Sequence, residues 1–192
     1  MKKNNKGFSL IEILAVIIIL GILLIITIPA VSKYILSSNK ASYAADIVAL
    51  LETMKAEYDM KEYGSFVKEG EIMIVPFRYV TLEKGTNLSS PFGDYDLKKS
   101  YGIIVPERNG YQMYANVTDN NGMGVSMKSY NEMDKSVIQD GISSSFLEYD
   151  QYLGNTTTDH FSFGGYSYKE CSRRQIKKDS YSDANVYILC KE

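Results

Sequence analysis

Twenty-four consecutive residues, Phe8 to Val31, carry a single charge, the carboxylate of Glu12. Between Ile13 and Ile28 only Gly21 and Thr27 interrupt an otherwise aliphatic run. As a helix the segment is about 36 Å long, against a bilayer hydrocarbon core of about 30 Å. It is long enough to span. A lone ionised side chain in such a segment costs roughly 2.5–3.5 kcal/mol on insertion scales, so Glu12 needs a physical reason to be there.

Lys2, Lys3 and Lys6 precede the run, with no acidic residue among the first seven. The positive-inside rule then keeps the N-terminus in the cytoplasm and sends the rest of the chain outside. Cys171 and Cys190, the two cysteines, lie in that exported part. In an oxidising compartment they read as one disulfide, whose loop of about 20 residues would add roughly 3 kcal/mol. A pair of buried free thiols is the alternative. The formal net charge of −2 gives the chain as a whole no electrostatic case for binding nucleic acid.

Pro29 follows the run and would kink a helix continuing through it. From Ser32 to Glu62 there is neither Gly nor Pro, and Ile35, Ala41, Ala45, Val48, Leu51, Met54 and Tyr58 form one apolar stripe. Gly64 is the expected stop. A helix from Phe8 to Glu62 would measure about 80 Å, too long to lie wholly in a membrane. Its second half therefore needs a cover. Residues 71–82 read as a strand, at a sheet edge because of Pro76. Residues 101–105 and 111–117 read as a hairpin about Glu107–Gly110, followed by a loop over 118–124 and a strand over 125–128. A short helix is expected over 131–139, loops with short strands over 140–186, and a final strand over 186–190. Together these predict an α+β protein: a long N-terminal helix, membrane-spanning then amphipathic, packed on a small antiparallel β-sheet head.

The stretch Lys6-Gly7-Phe8-Ser9-Leu10-Ile11-Glu12, leading into an unbroken aliphatic helix, resembles the class III signal of type IV prepilins and pseudopilins. The resemblance covers residues 1–62 well, including Pro29; beyond that only the plan of sheet and late cysteine pair is similar to pilins. It implies a leader of residues 1–7, an assembly helix of 8–31, an amphipathic half of 32–62 and an extracellular head of 63–192. It implies that a prepilin peptidase cuts between Gly7 and Phe8 and methylates the new amine of Phe8. It implies that Glu12 meets the terminal amine of a neighbouring subunit and sets the axial register, since stranding either charge in lipid is costly. The implied partners are further copies of the chain, membrane lipid before assembly, an assembly ATPase and a membrane platform protein. The implied location is the bacterial cell membrane first and a surface filament afterwards.

Within the family a pilin and a pseudopilin of a secretion or competence system both stay open. So do two other processing patterns: a secretory signal cut after Ser32, and an uncleaved anchor with an extracellular binding head. The cluster Lys169, Arg173, Arg174, Lys177 and Lys178, with Tyr166, Tyr168 and Tyr181 nearby, could grip a nucleic-acid backbone or simply face solvent. His160, the only histidine, has no companion ligand or nucleophile nearby, and Asp119, Asn120 and Asn121 lack the full calcium-loop pattern. No cofactor is expected, and no enzymatic activity.

Overall fold

A computed structural model describes residues 7–80, 89–97, 99–142, 161–176 and 185–192. His160, Lys177, Lys178 and Tyr181 lie outside these residues. The chain divides into two compact units, one ending at Asn39 and the other running from Lys40 to Glu192. Helix α1, Leu10–Asp59, runs without interruption through Pro29.

In the first unit the large apolar side chains from Phe8 to Val31 are between 50% and 90% exposed. The two hydroxyls near Pro29 are satisfied within the helix. Thr27 Oγ1 donates to the Leu23 carbonyl and Ser32 Oγ to that of Ile28, each at 3.0 Å. Such back-bonding leaves no unpaired donor to penalise transfer into lipid.

The second unit holds the packed part of α1 and the sheet. The buried helical residues are Tyr43, Ala44, Ile47, Leu50, Leu51, Met54 and Tyr58. The predicted stripe is thus rotated: Leu51, Met54 and Tyr58 are buried, while Ala41 and Ala45 are exposed and Ile35 lies in the first unit, half exposed. Two neighbouring stripes are both apolar here, and the larger surface of Tyr43, Ile47 and Leu50 decides which one faces the core. The helix also ends earlier than Gly64. The Lys61 backbone turns left-handed (φ 60°) and the Glu62 N–H bonds the Glu57 carbonyl at 2.9 Å, closing a Schellman-type turn.

The head strands are β1 (Glu71–Pro76), β2 (Ser89–Ser90), β3 (Gly93–Asp94), β4 (Tyr101–Glu107), β5 (Gly110–Thr118), β6 (Gly124–Ser129), β7 (Phe161–Phe163), β8 (Tyr166–Gln175) and β9 (Asn185–Lys191). Seven form one antiparallel sheet in the order β6-β5-β4-β1-β9-β8-β7, and β2 and β3 pair separately. The α+β arrangement predicted from the sequence is the one found, as is the β4–β5 hairpin.

Three local expectations change. Strand β1 is central rather than at an edge. Pro76 is tolerated because β9 pairs with β1 only as far as Ile74. The next residue, Phe77, donates its N–H towards β4, to Ser100, so the proline nitrogen faces the side where no strand remains to be bonded. The short helix expected over 131–139 is reduced to a 3-10 turn at Tyr130–Glu132, closed by a Ser129–Glu132 capping box. The tract expected to be mostly loop contains the ten-residue strand β8.

The sheet has two apolar faces. Met73, Val75, Ile104, Met113, Ala115, Val186 and Ile188 meet the helix, while Ile72, Ile74, Ile103, Tyr187 and Leu189 pack on the opposite side. The second face is enclosed because the sheet rolls over itself. Five strand spacings separate β5 from β7, about 24 Å if the sheet were flat. Yet the rings of Tyr114 and Phe163 lie 4.8 Å apart, and those of Tyr101 and Phe161 6.4 Å. The edge strand has been brought across the hidden face.

Tyrosine hydroxyls from the rest of the head engage the acidic side chains of the packed helix. Tyr95 donates its hydroxyl to Asp46 at 3.0 Å, Tyr130 to Glu52 at 2.9 Å, Tyr63 to Glu57 at 2.6 Å and Tyr111 to Asp59. Every carboxylate on α1 between Lys40 and Asp59 accepts one. Lys40 adds a bond from Nζ to the Ile138 carbonyl at 2.8 Å.

Candidate functional site

The residues singled out at the N-terminus surround the start of α1. Gly7, Phe8 and Ser9 precede the helix in no regular structure, and Phe8 is 83% exposed. A Cβ added at Gly7 meets nothing within 4 Å. Among the described residues, packing therefore imposes no demand for glycine there.

Ser9 and Glu12 form a reciprocal capping box. The Ser9 backbone N–H donates to Glu12 Oε2 at 2.7 Å and the Ser9 hydroxyl to the same oxygen at 2.9 Å. The Glu12 N–H returns a bond to Ser9 Oγ at 3.3 Å. This satisfies donors that a helix N-terminus would otherwise leave open, and the carboxylate also lies at the positive end of the helix dipole. The sequence reading gave Ser9 no role of its own, although Ser-x-x-Glu ahead of an apolar run is the signature of such a box.

Behind this cap, α1 is long and apolar enough to cross a membrane. Its exposed apolar surface continues past the aliphatic run through Tyr34, Ile35 and Leu36.

In the head, Cys171 and Cys190 are disulfide-bonded, with Cα atoms 5.7 Å apart. Cys171 sits at a register shift in β8, between Glu170 and Ser172. The bond closes the end of the β8–β9 hairpin remote from its loop.

Of the basic cluster, Lys169, Arg173 and Arg174 are among the described residues. Alternation along β8 sends Arg173 and Arg174 to opposite faces. Arg173 bonds Glu170 at 3.1 and 3.2 Å and lies over the Tyr187 ring at 5.0 Å. Arg174 reaches the Ser65 carbonyl at 3.3 Å and the Ser65 hydroxyl. Lys169 is exposed and Tyr168 buried.

The Asp119–Asn121 turn is occupied by its own chain. Asp119, 4% exposed, accepts from Ser90 Oγ and from the N–H groups of Asn121 and Met123, each at 2.9 Å. Asn120 Oδ1 accepts from the Asp94 N–H at 3.2 Å. Among the described residues no group of three or more His, Cys, Asp or Glu could hold a metal ion.

Comparison with known proteins agrees with the N-terminal geometry. The family described as the prokaryotic N-terminal methylation motif matches residues 2–28. The type IV major pilin protein PilA of Myxococcus xanthus is 31% identical over 104 residues, covering 54% of this chain and 46% of that pilin. The match thus spans less than half of the pilin's length. The ComG operon protein 3 homolog of Bacillus licheniformis is 35% identical over 69 residues, 36% of this chain and 70% of that protein. No solved structure matches.

Proposed function

The chain belongs to the type IV prepilin and pseudopilin family, and from that premise we propose that it is a structural subunit of a pilus-like filament. A prepilin peptidase removes residues 1–7 and methylates Phe8, and the exposed half of α1 then moves from lipid into the filament's interior. One observation carries this reading: an uninterrupted helix whose first half is exposed and apolar on all sides, while its second half buries one face in a folded head.

Each part of the N-terminal motif then has a physical role. Gly7, which no neighbour among the described residues requires to be glycine, suits an enzyme that must approach the backbone closely. Leader removal takes away Lys2, Lys3 and Lys6 and leaves a cationic amine at Phe8. Glu12 offers Oε1 to the corresponding amine of a neighbour, because only Oε2 is engaged by Ser9 among the described residues. In lipid the two charges neutralise each other, and separating them strands both. Glu12 thereby fixes the stagger between subunits.

Once a subunit leaves the bilayer, its aliphatic surface is covered only by neighbouring subunits, at about 25 cal/mol per Å2 of area removed from water. Extraction requires work, which we assign to an assembly ATPase acting through a membrane platform protein. The membrane-bound form holds its N-terminus in the cytoplasm, and the head lies outside. Both the pilin and the pseudopilin variant of this role fit the chain. A nucleic-acid contact gains no support from Arg173 and Arg174, which are engaged within the head on opposite faces.

Glu12→Gln tests the register role, because glutamine also completes a capping box while removing the charge. The variant is expected to insert and lose its leader normally yet yield few surface filaments. Wild-type filament yield from Glu12→Gln would contradict the role.

A further inference from the structure

The geometry points to Ser9 as a positioning residue for leader removal: its capping box with Glu12 stops α1 just short of the Gly7–Phe8 peptide, which is thereby kept extended for the peptidase. This rests on the leader-removal reading above.

The scissile peptide lies two residues upstream of the first helical residue, Leu10. The first ladder bonds run from the Glu12 and Ile13 N–H groups to the Ser9 carbonyl, at 3.1 and 3.3 Å. Among the described residues, the carbonyls of Gly7 and Phe8 accept no backbone donor. A helix entering lipid is driven to extend, because each unpaired backbone N–H is costly in a medium that cannot replace the bond. Extension by one turn would give the Leu10 and Ile11 N–H groups acceptors at Lys6 and Gly7. It would also enclose the carbonyl that must be attacked within a helical wall, whereas proteolysis favours exposed, extended segments. Two features oppose extension. Gly7 is a poor helix former, and the capping box already pairs the Ser9 and Glu12 N–H groups in a geometry that fixes Ser9 as the residue before the helix.

Ser9 does not touch the scissile bond in this account; it acts by setting the helix boundary. Threonine supports the same cap, and alanine does not. Glutamine at position 12 preserves the box.

The test uses the full-length chain in phospholipid vesicles with a purified prepilin peptidase, following the initial rate of leader loss by mass. Amide exchange at Leu10 and Ile11 is measured in parallel. Ser9→Ala is expected to slow leader loss by about 3- to 30-fold, the span of a lost N-cap, and to slow exchange at those two amides. Ser9→Thr and Glu12→Gln are expected to stay within about twofold of the original rate. Wild-type cleavage of Ser9→Ala would overturn the inference. So would slow cleavage without slower exchange, or a Ser9→Thr variant as slow as Ser9→Ala, because either outcome means that the peptidase reads the side chain at position 9 directly rather than through the helix boundary. Gly7→Glu separates this inference from the reading it rests on. If Gly7→Glu is blocked and Ser9→Ala is not, only the role of Ser9 fails; if Gly7→Glu still loses its leader between residues 7 and 8, the proposed recognition of Gly7 fails.

Discussion

The two halves of α1 share one backbone and obey different rules. As far as Val31 the helix is specified by composition: aliphatic side chains on every face, with the Thr27 hydroxyl bonded back to the helix. Any aliphatic residue of similar size would serve there, apart from Ser9, Glu12 and the positions around Pro29. From Lys40 to Asp59 it is specified by individual partners. Tyr43, Ile47, Leu50, Leu51, Met54 and Tyr58 are buried in one cluster with the core residues of the head, and each carboxylate receives a tyrosine hydroxyl. Under the proposed function, a segment that exchanges lipid for other subunits gains from interchangeable contacts, whereas a segment that holds a head in place does not.

Paired substitutions give the sharpest break between the halves. Leu51→Ala empties a fully buried site and should cost the head about 2–5 kcal/mol. Leu20→Ala, on a half-exposed side chain of the first half, should leave the head's melting transition unchanged. Equal losses in thermal unfolding of the two variants would erase the distinction.

The close approach of helix to sheet is probed at Gly102. A Cβ there would lie 2.3 Å from Met54 Sδ and 3.1 Å from Phe77 Cε1. Gly102→Ala should destabilise the head by about 1–3 kcal/mol through overpacking, read as a lowered unfolding midpoint. In a Met54→Ala background Gly102→Ala should cost less than it does alone if the clash is the cause.

The smallest expected effect concerns the tyrosines that hold the packed half. Burial, followed by the neighbouring carboxylate, pushes the Tyr63 and Tyr95 hydroxyls well above their ordinary value near 10. Burial alone does the same for Tyr101. The folded state thus binds these protons more tightly than the unfolded chain. Their contribution is complete below about pH 10 and is lost as the pH rises above it. Asp46 has the opposite consequence at neutral pH: burial raises its carboxyl, a bond from Tyr95 partly offsets the rise, and any stability linked to its proton is lost as the pH rises past the acidic range. Urea unfolding of the head should show a plateau through neutral pH and a decline in alkali. Tyr63→Phe and Tyr95→Phe should each shrink that decline.

The same contrast explains what could be read from the sequence. The spanning run, the signal motif, the α+β plan and the β4–β5 hairpin depend on composition and short spacing, and all were legible. The helix face is ambiguous in the sequence because Ala41, Ala45 and Val48 make a second apolar stripe beside the one that Tyr43, Ile47 and Leu50 bury. Strand β8 was hidden in a polar tract, Tyr-Ser-Tyr-Lys-Glu-Cys-Ser-Arg-Arg-Gln, that buries little and carries a register shift at Cys171. Pro76 suggested an edge because local pattern does not reveal where a neighbouring strand stops. At the candidate site Gly7, Phe8 and Glu12 were legible as a motif. The reciprocal bond to Ser9 was written in the same residues but needed the helix boundary to become visible.

The central claim, that a membrane-resident helix is trimmed at its tip and becomes the interior of a filament, is tested most directly by the intact mass of native protein sheared from the cell surface. The account predicts a chain beginning at a methylated Phe8, with Cys171 and Cys190 joined. A surface protein that retains Met1, or one that begins at Lys33, would contradict it.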